Sequence, residues 1–182
     1  MKLFFRTLIV CVVLLSGIAL AQEPVRYAEL YNEVSEGRIA PQFTAYVEGP
    51  IKGTIGWAGW LWVQEGWAEG MGGLTYAPKP WVQIAGMIGV EKDSRPLRGA
   101  VNLWLSNKGW TFEMSQEYGG SGHWSRYRGI YKRGKVGVGI DSTKFIGTGP
   151  YAEADLGKIT VYGSYAVVQS GGRGIFGARL NF

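Results

Sequence analysis

Cysteine is all but absent: the chain has one, Cys11, which excludes a disulfide scaffold. Histidine is single too, at His123. Charged residues make up only 18%, below the rough quarter of a soluble domain. After residue 21 no stretch approaches the roughly 18 apolar residues of a membrane-spanning helix. No Gly-X-Y period runs through the chain, which excludes collagen. Gly119-Gly120-Ser121-Gly122 lacks the lysine of a phosphate loop, so nucleotide binding has no footing. What is abundant is glycine, 29 of 182 residues, with 8 Trp, 10 Tyr and 46% hydrophobic residues. So many aromatics exclude disorder, and so much glycine argues against an all-helical domain. A Gly-rich, Trp-rich β protein remains.

The first segment is an address. Lys2 and Arg6 precede an apolar run from Leu8 to Leu20, and Ala19-Leu20-Ala21 supplies the small-x-small pattern of a signal-peptidase site. A secretory signal peptide over residues 1–21 is predicted, with cleavage before Gln22. Cys11 leaves with it, so the mature chain has no thiol chemistry. Losing Lys2 and Arg6 lowers the formal charge from +5 to +3. That charge is too weak and scattered for nucleic-acid binding.

Two regions follow. In residues 22–52, Val25, Ala28, Leu30 or Tyr31, and Val34 are spaced for one face of a short amphipathic helix. Pro41, Gly49 and Pro50 punctuate what reads as a linker. From residue 53 to 182, runs of apolar and polar or small residues alternate between turn residues. Ten strands are predicted, at 53–64, 66–77, 81–92, 97–107, 110–119, 124–133, 135–144, 149–157, 158–169 and 173–182. One face carries no charge in any of them, for example Val82, Ile84, Leu103, Val138 and Val161. The other carries Glu69, Glu91, Glu113, Glu117, Asp141, Glu153 and Asp155, with Arg98, Arg126, Arg128, Lys132 and Arg179.

In a soluble barrel the apolar face turns inward; in a membrane barrel it meets lipid and the polar face lines the lumen. The runs match the roughly 9–11 residues of a tilted span rather than the roughly 5–6 of a soluble strand. Tyr76, Trp110, Tyr118 and Tyr127 fall near strand ends on the apolar face, as an interfacial girdle does. Glu113 and Glu117 sit one strand from Arg126, Arg128 and Lys132, and an enclosed charge needs such a partner. The fold class expected is therefore all-β: a closed antiparallel up-and-down transmembrane β-barrel of about ten strands, eight and twelve being alternatives, with a short N-terminal helix.

The last strand alternates and ends on phenylalanine, with Phe176, Leu180 and Phe182 at spaced apolar positions. It resembles the C-terminal recognition strand of bacterial outer-membrane β-barrel proteins, which their assembly machinery reads. The resemblance implies location in the bacterial outer membrane, contact with its lipids, and periplasmic termini. Periplasmic termini require an even strand count. If Gln42–Glu48 were a strand as well, one of the ten would have to go.

Candidate chemistry is sparse. His123 and Ser125 share a strand face, and this His-x-Ser pair resembles that of outer-membrane phospholipase and lipid A deacylase. The resemblance implies Ser125 as nucleophile and His123 as base. Arg126 stands where those families have Asn, and only Gln116 offers a third member. Asp141, Glu153 and Asp155 could hold a divalent cation, although pairing with Arg179 or Lys132 is the plainer expectation. No metal and no cofactor is expected. The expected role is non-enzymatic: a narrow porin-like channel, or a structural or binding component of the membrane. The alternatives are a lipid hydrolase using Ser125 and His123, and a soluble secreted barrel holding a lipophilic ligand. Oligomeric state is left open.

Overall fold

The computed structural model describes residues 26–35, 37–168 and 171–182; the expected signal peptide, 1–21, lies outside them. The described residues form twelve strands: β1 (Arg26–Ser35), β2 (Arg38–Lys52), β3 (Ile55–Gln64), β4 (Trp67–Lys79), β5 (Val82–Glu91), β6 (Leu97–Asn107), β7 (Trp110–Gly119), β8 (Gly122–Arg133), β9 (Val136–Thr143), β10 (Gly147–Leu156), β11 (Ile159–Val168) and β12 (Gly171–Asn181). Each pairs antiparallel with its neighbours in sequence, and β12 returns to β1 to close the ring. Closure leaves no unpaired edge, which a wall surrounded by hydrocarbon requires.

The ten strands read from the sequence correspond to β3–β12, with ends shifted by a few residues. The helix expected within 22–52 is instead β1, and the linker is β2. Tyr27, Glu29, Tyr31 and Glu33 alternate with Ala28, Leu30, Asn32 and Val34 along β1. That is a strand period carried by residues that also fit a helical stripe. Pairing on both edges of β1, to β2 and β12, satisfies every backbone group at once and overrides helix propensity. The barrel has twelve strands rather than ten. Gln42–Glu48 is strand after all, and because β1 forms with it, the even count survives with none of the ten lost.

The faces fall as the alternation indicated. Ile88 is 67% exposed and Leu97 68%, while Arg98 is 3% exposed and Arg128 2%. Val82, Ile84, Leu103, Val138 and Val161 all lie on the outer surface; they do not converge on a dry centre. Trp81, Trp110, Tyr76 and Tyr131 ring the outer wall at the end that carries both described chain ends, and Tyr118 and Tyr165 lie at the far end. Trp110 and Tyr131 meet at 4.9 Å between centroids.

Turns between strands are short. At the β6–β7 turn Lys108 (φ 50) and Gly109 (φ 86) are both left-handed. This matches the type I′ geometry whose twist suits a two-residue hairpin.

Candidate functional site: the charged lumen

Alternation aims every second side chain of each strand at the axis. Two apolar clusters fill opposite walls. Met71 and Met87 pack with Ala58 and Ala100, backed by Tyr46 and Trp60, on the β2–β6 side. Ile130, Tyr151, Tyr162 and Ile175 pack with Tyr31 and Ile146 on the other. Small residues such as Ala58 and Ala100 make room for large ones on neighbouring strands, the filling expected of a small barrel.

Between these walls lie the charges. Near the far end one guanidinium serves three carboxylates: Arg98 is 2.6 Å from Glu91, 2.8 Å from Glu117 and 3.2 Å from Glu69. Ser121 fastens this group to the β7–β8 turn, its backbone N–H and hydroxyl donating to Glu91 at 2.8 and 2.7 Å. Asp141 receives Arg126 at 2.6 Å and Arg128 at 3.1 Å. Arg128 also approaches Glu113 at 3.5 Å and lies 4.5 Å over the Tyr151 ring. Lys132 joins Asp155 at 2.6 Å and Glu153 at 3.2 Å. Arg179 meets Glu29 at 3.1 Å and sits 4.9 Å over Tyr27. Such pairing and cation–π contact make buried charge tolerable.

Every charged lumen residue expected from the sequence points inward: Glu69, Glu113, Glu117, Arg126, Arg128, Lys132, Asp141, Glu153, Asp155 and Arg179. The pairing differs in three places. Asp141 binds Arg126 and Arg128 rather than Arg179 or Lys132. Glu117 binds Arg98 rather than a cation of β8, because the register sets Trp124 opposite Glu117. Arg179 binds Glu29 rather than an acid of β9 or β10, because β1 lies beside β12. Glu29, Glu33 and Glu48 were missed along with Tyr27, Tyr31 and Tyr46. Two i, i+2 runs, Tyr27-x-Glu29-x-Tyr31-x-Glu33 and Gln42-x-Thr44-x-Tyr46-x-Glu48, were the available signal.

Two cavities occupy the bore. The larger, about 460 Å³, is lined by Tyr27, Tyr46, Trp60, Trp104, Glu48, Glu113, Arg128 and Arg179, among others. The smaller, about 280 Å³, lies toward the far end, against Glu33, Arg98, Lys144 and Phe145. Tyr31, Trp62, Trp124 and Arg126 line both and so form a waist between them. Trp62 on β3 and Trp124 on β8 stand 6.2 Å apart, although four strands, β4 to β7, lie between theirs in the ring. Their contact crosses the bore. Among inward strand residues that make ion pairs or line these cavities, carboxylates prevail. They are Glu29, Glu33, Glu48, Glu69, Glu91, Glu113, Glu117, Asp141, Glu153 and Asp155, against Arg98, Arg126, Arg128, Lys132, Arg173 and Arg179.

His123, Ser125 and Gln116 lie together on the outer wall at the far end. His123 Nε2 is 2.7 Å from Gln116 Oε1, and Lys144 Nζ is 3.3 Å from Nδ1. With Lys144 donating to Nδ1, the proton belongs on Nε2 and points at Gln116. Both ring nitrogens thus face groups other than Ser125. The terminal aromatic signal lies on the same outer surface, with Phe176 and Leu180 pointing outward from β12 and Phe182 bonded through its N–H to the Arg26 carbonyl at 3.1 Å.

No family model matches the chain, and no curated protein sequence does. Solved structures do match its fold. The KdgM porin superposes with a TM-score of 0.59 at 10% identity, covering 86% of this chain and 99% of that one. The NanC porin gives 0.53 at 11% identity, over 86% and 100%. The outer membrane phospholipase of Salmonella typhi, a dimer with bound calcium, gives 0.50 at 11% identity, over 92% and 93%. The KdgM porin has also been solved in complex with disordered oligogalacturonate. What these proteins share with the chain is the closed barrel of outer-membrane porins, a fold that a phospholipase also uses.

Proposed function

We propose that the chain is a non-enzymatic porin-like barrel of the bacterial outer membrane, passing small solutes through a narrow, charged lumen. One observation carries the reading: two cavities meet at a waist inside a wall whose outer surface is apolar and whose inner surface is ionic. Export uses the signal peptide at 1–21, removed before Gln22, and both termini are periplasmic. The assembly machinery engages β12 through Phe176, Leu180 and Phe182, and outer-membrane lipids surround the apolar belt. Oligogalacturonate, named with the KdgM porin, is a polyanion. The excess of carboxylates here favours cations instead, because a low-dielectric bore magnifies unbalanced charge.

The test is fractionation with heat-dependent gel mobility, then single-channel recording in planar bilayers under a KCl gradient. The expected result is an outer-membrane species that shifts on boiling and carries small current steps, with a reversal potential on the cation side. Folded protein that carries no current overturns the channel.

A further inference from the structure

Glu48 is the one carboxylate lining the larger cavity that has no cationic partner among the described residues. The others there, Glu29, Glu113 and Glu117, face Arg179, Arg128 and Arg98. Two neutral donors hold Glu48: the Tyr46 hydroxyl and the Gln83 amide, the latter at 2.7 Å, both meeting Oε2. Oε1 accepts no hydrogen bond from a side chain among the described residues, and Glu48 lines the cavity. Around it stand aromatic rings. Trp60 is the cross-strand partner of Tyr46, and Trp104 that of Gln83. Tyr27 stacks on Tyr46 at 5.3 Å.

The opposite wall shows what such rings do here. Tyr151 and Tyr162 lie beneath the Arg128 guanidinium, and Tyr27, at the edge of the Glu48 group, lies beneath that of Arg179. The wall from β2 to β6 has equivalent rings and Glu48, and the cation it carries in the bore, Arg98, is taken up by Glu69, Glu91 and Glu117. Lys52 and Lys79 sit exposed at strand ends and pair with no carboxylate among the described residues. A strongly hydrated metal ion gains little from indole faces. A weakly hydrated organic cation gains both the ring quadrupoles and the carboxylate. A cavity of about 460 Å³ is within the range of small-molecule sites.

We infer that Glu48, Tyr46, Trp60 and Trp104 form a binding site for a small organic cation, an alkylammonium or pyridinium class solute, inside the lumen. This rests on the porin reading and names the solute class it would carry. The probe is N-methylpyridinium, which quenches indole fluorescence, titrated into the full-length barrel folded in detergent; uncharged pyridine is the control. Saturable quenching by the cation alone is expected, weakened about tenfold in Glu48→Gln, as the loss of a desolvated charge contact implies. Glu65→Gln, in the exposed β3–β4 turn, is expected to bind as the parent does. If Glu48→Gln does not fold, Trp104→Leu supplies the same comparison. Non-saturating quenching, or equal affinity in the variants, overturns the site. The two readings separate in the bilayer. Current without saturable binding removes the site and keeps the channel; saturable binding without current keeps the site and removes the channel.

Discussion

Arg98 sets the energetic problem of the lumen at the scale of one residue. Its guanidinium stands among Glu69, Glu91 and Glu117, whose side chains are at most 2% exposed. Removing the cation leaves three enclosed carboxylates with nothing positive beside them. Arg98→Ala is therefore expected to cost about 3–5 kcal/mol, the scale of a broken buried ion pair, read as a lowered urea midpoint for the barrel in lipid vesicles. Glu69→Gln acts with the opposite sign on the same balance. Glu69 meets Arg98 without a hydrogen bond to either oxygen. Losing its charge relieves repulsion, so its midpoint is expected to equal or exceed the parent's. A large loss in Glu69→Gln would refute this account of the cluster. The outer rim allows a second test. With both His123 nitrogens held by Gln116 and Lys144, Ser125 lacks an activating base. Ser125→Ala and His123→Ala are expected to leave host membrane lipids unchanged by mass spectrometry. A changed acyl pattern in either variant would restore the hydrolase.

Elements are held in register by what glycine leaves out. Gly139 faces inward on β9, and a Cβ there would stand 1.9 Å from the Gly129 carbonyl oxygen and 2.9 Å from the Ile130 Cα. Backbone cannot yield as a flexible side chain can. Gly139→Val is thus expected to abolish the heat-shifted folded band, whereas Gly129→Ala, outward and with open space around its Cβ, is expected to keep it. Equal folding of the two would show that β8 and β9 separate at little cost. The same scale explains what the sequence made legible. Strands β3–β12 were readable because each alternates over about a full span between Gly, Pro or Asn turns, and alternation reports the face as well as the strand. β1 was not, because Ala28, Leu30, Tyr31 and Val34 satisfy a helical stripe while Tyr27, Glu29, Tyr31 and Glu33 satisfy a strand. Only the partner edges of β2 and β12 break that tie, and those are not local information.

Across the whole molecule, the inside-out arrangement was legible because it is a sum over many strands. Contacts across the bore were not, since they depend on ring size and stagger rather than on any local period. Trp62 and Trp124 are 62 residues apart in numbering, and closure of twelve strands brings their rings to 6.2 Å. That contact, with Tyr31 and Arg126, lies where the two cavities meet, and it should limit current. Trp62→Ala with Trp124→Ala removes both rings from the axis while leaving the outer wall and the ion pairs of Asp141 untouched. Single-channel conductance of the double variant is expected to rise at least about twofold, as a widened constriction admits more ions. Each single variant should give less than half of that gain, because the remaining ring still lies across the opening. Trp110→Ala, on the outer girdle, is expected to leave conductance unchanged. If the double variant conducts like the parent, the resistance lies elsewhere, and the Arg98 cluster at the far end becomes the constriction to widen next.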